Sequence, residues 1–149
     1  MGRCQPAPLR PRALAALTPS RRLPRDAGGV LVIDAANVIG SRPTGWWRDR
    51  AGATRQFVDR VRATVAAGSL RPPVTVVVEG RARPGAEEGD VGGVAVVHAP
   101  GEGDDTIAAV AGEHDRAIVV TADRGLVERV RAAGAEVVGP SWLLDRLVY

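Results

Sequence analysis

The sequence has a single cysteine, Cys4, among 149 residues. One thiol near the start excludes a disulfide framework and any zinc site built on cysteines, and it points to a reducing compartment. Lysine is missing altogether. All twenty basic residues are arginine, a bias expected from genome composition, although arginine also suits bidentate contacts to phosphate. Aromatic residues make up only 3% of the chain, so a core has to be aliphatic. No stretch approaches the ~20 apolar residues of a membrane span, and "ALAAL" falls short of the apolar segment of a signal peptide. These absences predict a cytoplasmic protein that does not engage membranes. A chain of this length fits one domain, able to bury roughly 70% of its unfolded surface without disulfides or a structural metal.

What is present is charge, and it is segregated. Residues 1 to 28 hold six Arg and one Asp, residues 42 to 83 nine Arg and three acids, and residues 84 to 149 five Arg and twelve acids. A basic half suits a polyanion and an acidic half suits cations; ordinary solvated charge is the plainer reading. Residues 1 to 27 are rich in Pro and Arg and lack periodicity, so they are expected to form a disordered tail. That tail either steers the protein to RNA or reflects a start placed too far upstream. The folded domain is expected over residues 28 to 149.

Beyond the tail, short Val/Ile-rich runs alternate with helical patterns. Gly29 to Ile33 reads as a buried strand, followed by a Pro/Gly/Trp loop. Phe57, Val61 and Val65 at i, i+4 and i+8 predict an amphipathic helix stopped by Gly68. "VTVVVEG" is a second strand, "RARPGAEEGDVGG" an exposed loop, and "VAVVHA" a third strand. After an acidic turn come a short helix, a fourth strand at "AIVVTADRG", another helix, a fifth strand at "AEVVG", and a last helix with Ser141 as its cap. This alternation predicts a three-layer, Rossmann-like α/β/α domain around a central parallel sheet of about five strands.

Carboxylates recur where these strands end. Asp34 closes the first, Glu79 the second, Asp104 and Asp105 follow the third through a turn, and Asp123 closes the fourth. Ligands of such sheets bind outside the carboxyl ends of the strands, where the strand order reverses. An acid between strand and helix also serves as an N-cap, which accounts for Asp104, Asp105 or Asp123 taken singly. Asp34 resists that account, because the next helix is expected more than ten residues later. Glu79 is expected to be exposed. Two like charges about 4 Å apart repel by roughly 4 kcal/mol at an effective dielectric of 20, so clustered carboxylates take up protons or bind a cation. Without cysteine or a well-placed histidine the ligands would be all oxygen, which selects Mg2+ or Mn2+ over zinc. His98 and His114 read as loop or strand-end residues. Asn37 is either an amide donor to phosphate or an Asx-turn residue, and Thr121 either presents its hydroxyl to the site or simply ends a strand.

The pattern "VIDAANVI", then "GEGDDTIAAVA", then "VVTADRGL" resembles the NYN branch of the PIN-like nucleases, which includes YacP-type ribonucleases. The resemblance spans residues 29 to 139. It implies a PIN-like fold with Asp34, Asp104 or Asp105, and Asp123 as metal-binding acids, Asn37 and Thr121 in support, and metal-dependent cleavage of RNA. Asp34, Asn37, Asp105 and Asp123 are then the catalytic candidates. RNA contacts are expected from Arg42, Arg48, Arg50 and Arg55 around the loop after Asp34, with Trp46 and Trp47 offering base stacking. Trp47 is expected to be buried, Trp46 partly exposed, and Trp142 in the core.

The leading expectation is an Mg2+- or Mn2+-dependent endoribonuclease. A non-catalytic RNA- or ribosome-binding module on the same scaffold is the alternative. A phosphohydrolase with an aspartyl nucleophile is disfavoured, because Ala36 occupies the place where that chemistry wants a second carboxylate. A dinucleotide site is disfavoured too, since no G-x-G-x-x-G follows the first strand.

Overall fold

The computed structural model describes residues 29–148; the tail expected over residues 1 to 27 lies outside them. The elements in chain order are β1 (Val30–Asp34), α1 (Ala35–Gly40), a 3-10 turn (Trp46–Arg48), α2 (Arg50–Ala66), β2 (Val74–Val78) and a second 3-10 segment (Gly80–Gly85). They continue as β3 (Gly89–Val91), β4 (Val94–His98), α3 (Gly103–Gly112), β5 (Ala117–Val120), α4 (Arg124–Ala132), β6 (Glu136–Val138) and α5 (Pro140–Leu144).

Among the described residues the sheet has six strands in the order β3-β4-β2-β1-β5-β6. All pairings are parallel except β3 with β4, where Gly89 faces Val96 and Val91 faces Val94. The expectation of five strands missed β3, which lies in the segment read as a loop. Three residues beginning with glycine carry no period of their own, and only pairing with β4 makes them a strand. Both outermost strands are three residues long.

β1 reads apolar from Val30 to Ile33 because both of its faces are covered. Leu31 and Ile33 join Val74, Val76, Val78, Ile118 and Val120 beneath α1, α2 and α5, where Val38, Phe57, Val61 and Leu143 pack. Val30 and Val32 point the other way, with Val77, Ala117 and Val119, against Ile107 of α3 and Leu126 and Val130 of α4. Two cores on opposite sides of one sheet make the three-layer α/β/α arrangement. Phe57, Val61 and Val65 are buried as their spacing predicts, and Gly68 at φ 84° follows the Ala67 cap.

Two local expectations are corrected. The chain turns into α1 directly after Asp34, and six residues are too short to show a helical stripe. The last helix is capped by Gly139 with Pro140 in its first turn, and not by Ser141; a proline there has no amide to satisfy and presets φ.

This topology fixes where a ligand site can form. From β1 the chain steps outward through β2 and β4, then returns to pair β5 on the other side of β1. The strand order therefore reverses between β1 and β5, at the carboxyl ends that carry Asp34 and Thr121.

Candidate functional site

Asp34 is 6% exposed and caps α1. Its Oδ1 accepts the Asn37 amide at 3.2 Å, and its Oδ2 accepts the Thr121 hydroxyl at 3.0 Å. Asp34 therefore does have the capping role that the expected late helix had denied it. Burial pushes its carboxyl from the ordinary value of 3.8 up to about 6; the two hydrogen bonds oppose this, while the negative charges of Glu79 and Asp104 add to it.

The carboxyl ends of β1 and β5 are laced together. Thr121, itself buried, donates to Asp34 and accepts the Asp123 amide at 3.1 Å. Asn37 Oδ1 accepts the Ala122 amide at 2.8 Å, so its side chain bridges α1 to the loop after β5. Its Nδ2 group is left to donate elsewhere. Asp123 caps α4 through the Leu126 amide at 3.1 Å and is exposed.

α3 brings the aspartate doublet to the same edge. The two residues do different things. Asp105 Oδ1 forms an exposed ion pair with Arg129 at 3.0 Å. Asp104 has its carboxyl raised by partial burial, then by the charges of Asp123 and Glu102, with Arg129 opposing. Asp104 is thus the member of the pair that is raised by the charge of Asp123 and that in turn raises Asp34.

Glu79 is the residue that the sequence reading misjudged. It is half-buried, not exposed, and its Oε2 accepts the Gly103 amide at 2.8 Å. A side-chain carbon at position 103 would collide with that oxygen, so a residue larger than glycine would have to displace the Glu79 carboxylate. The signal was available: Glu79 ends β2, the strand beside β1, and so sits at the same sheet edge as Asp34. Among the described residues, no three His, Cys, Asp or Glu side chains lie close enough to hold a metal between them.

The basic candidates lie on the loop after α1 and on α2. Arg42, Arg48, Arg50 and Arg55 are all exposed. Arg55 lies apart from the loop, in a groove between α2 and β3 that also holds Asp59, Arg62, Glu87 and Glu88. The two tryptophans exchange their expected places: Trp47 is 50% exposed and Trp46 is the half-buried one. Trp142 is half-buried against the core beneath Arg146, whose guanidinium carbon is 3.9 Å from the ring centre. His98 ends β4 with its ring on the Ala86 carbonyl, and His114 contacts the Val110 carbonyl.

The chain is a three-layer α/β/α domain with an acid-lined edge at its switch point. Its fold is similar to that of Rae1 (YacP) from Bacillus subtilis, with a TM-score of 0.58 and 18% identity over 78% of this chain and 72% of that one. No family model and no curated protein matches the sequence. No helix among the described residues is long and apolar enough to cross a membrane.

Proposed function

We propose that the chain is an endoribonuclease that hydrolyses RNA phosphodiesters at the carboxyl edge of its sheet with Mg2+ or Mn2+ as cofactor. The observation that carries this reading is Asp34: a carboxylate buried at the switch point of a YacP-like fold, within reach of the charges of Glu79 and Asp104 and with no cationic partner among the described residues. The donors are carboxylate oxygens, which fit a hard cation. Mg2+ keeps several waters and needs only one or two carboxylates, so a close triad of acids is not required. One or two of Asp34, Asp104 and Asp123 would hold it, while Asp105 is engaged by Arg129. When bound, the cation would neutralise charge on the phosphate and lower the pKa of a water.

The protein's own groups supply position. Thr121 fixes the Asp34 carboxylate and the start of α4 with one hydroxyl. Asn37 aligns α1 with the loop after β5 and keeps Nδ2 free to donate to a phosphate oxygen. Arg42, Arg48 and Arg50 offer phosphate contacts beside the edge. The test is to incubate the full chain with a mixed RNA pool, with and without Mn2+, beside an Asp34→Asn/Asp123→Asn variant. Mn2+-dependent fragments from the first and none from the second are expected; equal fragmentation by both would overturn the proposal.

A second reading is RNA or ribosome binding without cleavage. It is favoured by the helix-capping bonds of Asp34 and Asp123, which give both acids a structural purpose. RNA binding indifferent to chelator, with no cleavage under any metal, would select it.

A further inference from the structure

The loop between α1 and α2 ends in an aromatic platform. Trp46 and Trp47 meet edge to face, with ring centres 5.8 Å apart and planes at 87°. Trp46 is the strut: it packs beside Gly40 at the end of α1, where a side-chain carbon would stand 3.6 Å from its Cζ2. The Arg50 guanidinium lies 5.3 Å from its ring centre. Trp47 is the outward member, half of its surface open to solvent, with the Arg48 guanidinium 5.8 Å from its ring centre.

The backbone beneath is fixed at both ends. Gly45 enters the turn at φ 81°, a conformation other residues resist. Asp49 closes it by accepting the Gly52 amide at 2.8 Å, which starts α2. An exposed indole on a braced turn has no packing duty of its own, and the charge around it is positive. α1 is six residues long, so its two ends stand roughly 9 Å apart. Asp34 occupies one end and Trp46 the other, which places the platform within a few nucleotides of the acidic edge.

We propose that Trp47 stacks an unpaired base of single-stranded RNA while Arg48 and Arg50 receive the adjoining phosphates. The open indole, its perpendicular strut and the two flanking guanidiniums are the grounds. A base inside a duplex has both faces covered by its neighbours, so this surface discriminates against paired RNA. The inference rests on the RNA reading of the same edge but not on cleavage.

It is tested by binding alone, in chelator, so that no cleavage occurs. A short oligoribonucleotide carrying 2-aminopurine is titrated with the full chain, beside the same strand in a duplex. Stacking quenches the probe in the single strand and not in the duplex. Trp47→Ala is expected to weaken single-strand binding by about tenfold to a hundredfold and to abolish the quench, with Trp47→Phe keeping most of both. Circular dichroism checks that the fold persists. Unchanged affinity in Trp47→Ala, or equal losses for single strand and duplex, would overturn the proposal. So would absence of oligonucleotide binding by the unaltered chain, which would leave a protein partner as the occupant. Because cleavage is read separately with Mn2+, an inactive chain that still binds through Trp47 would refute the nuclease and keep the platform.

Discussion

At the β1–α1 corner Asp34 accepts the amide of Asn37; at the β5–α4 corner Asp123 accepts the amide of Leu126, again three residues on. The local geometry is the same, yet Asp34 is buried with its carboxyl raised to about 6, while Asp123 is exposed. A cap is a local bond and says little about charge. What separates the corners is position: β1 lies in the middle of the sheet, against β2 with Glu79 on one side and β5 on the other. Water solvates Asp123, whereas Asp34 depends on two hydrogen bonds and, in the proposed function, on a cation.

The largest expected effect separates the two acids by activity. Asp34→Asn should lower Mn2+-dependent cleavage at least about a thousandfold, or roughly 4 kcal/mol of transition-state stabilisation. Asparagine caps helices as well as aspartate, so circular dichroism should show the fold intact. Asp123→Asn should lose less, because solvent shares the work of its carboxylate. Single-turnover cleavage of one RNA by both variants checks the ranking, and a more damaging Asp123→Asn would reverse the comparison.

Next comes the pH dependence of stability without metal. The folded state holds the Asp34 proton more tightly than the unfolded chain does, so stability is highest below pH 4 on this account and falls as pH rises from about 4 to about 6. A difference of about two pK units corresponds to a loss of about 3 kcal/mol. Urea unfolding in chelator across this range should show the decline, and Asp34→Asn should flatten it. A slope that survives that substitution would place its origin elsewhere.

Thr121→Val keeps the shape of the buried side chain but cuts the tie between the corners. It leaves Asp34 Oδ2 and the Asp123 amide without the hydroxyl, an expected cost of about 1–3 kcal/mol. Thr121→Ser should recover most of it; a loss in Thr121→Ser with none in Thr121→Val would assign the effect to the methyl group. The smallest change concerns the doublet. Asp105→Asn removes only the exposed pair with Arg129 and should shift stability by less than about 1 kcal/mol, whereas Asp104→Asn should weaken Mn2+ binding measured by calorimetry. Equal metal binding by both would erase the distinction drawn between them.

The layered fold was legible because every long element carries its own period: unbroken Val/Ile runs for β1, β2 and β5, and the Phe57, Val61 and Val65 stripe for α2. Elements that depend on neighbours were not. β3 exists through its pairing with β4, and α1 is shorter than two turns. At the site, Asp34, Asn37, Thr121 and Asp123 could be singled out because strand ends mark the ligand edge. Glu79 ends a strand at the same edge and could be placed there too; its burial could not, since its partner Gly103 lies 24 residues away and no local pattern announces the meeting. The exchanged places of Trp46 and Trp47 have a similar cause. Adjacent identical residues give no period, so only the path of the turn decides which ring faces inward.

The short outer strands have a consequence for handling the protein. An unpaired strand edge is a template for adding another chain, and among the described residues both outermost strands are three residues long, with Asp90 on one and Glu136 on the other. Each offers few main-chain bonds and puts a carboxylate in the path of an approaching sheet. Concentrated samples should therefore resist ribbon-like aggregation through their sheet margins.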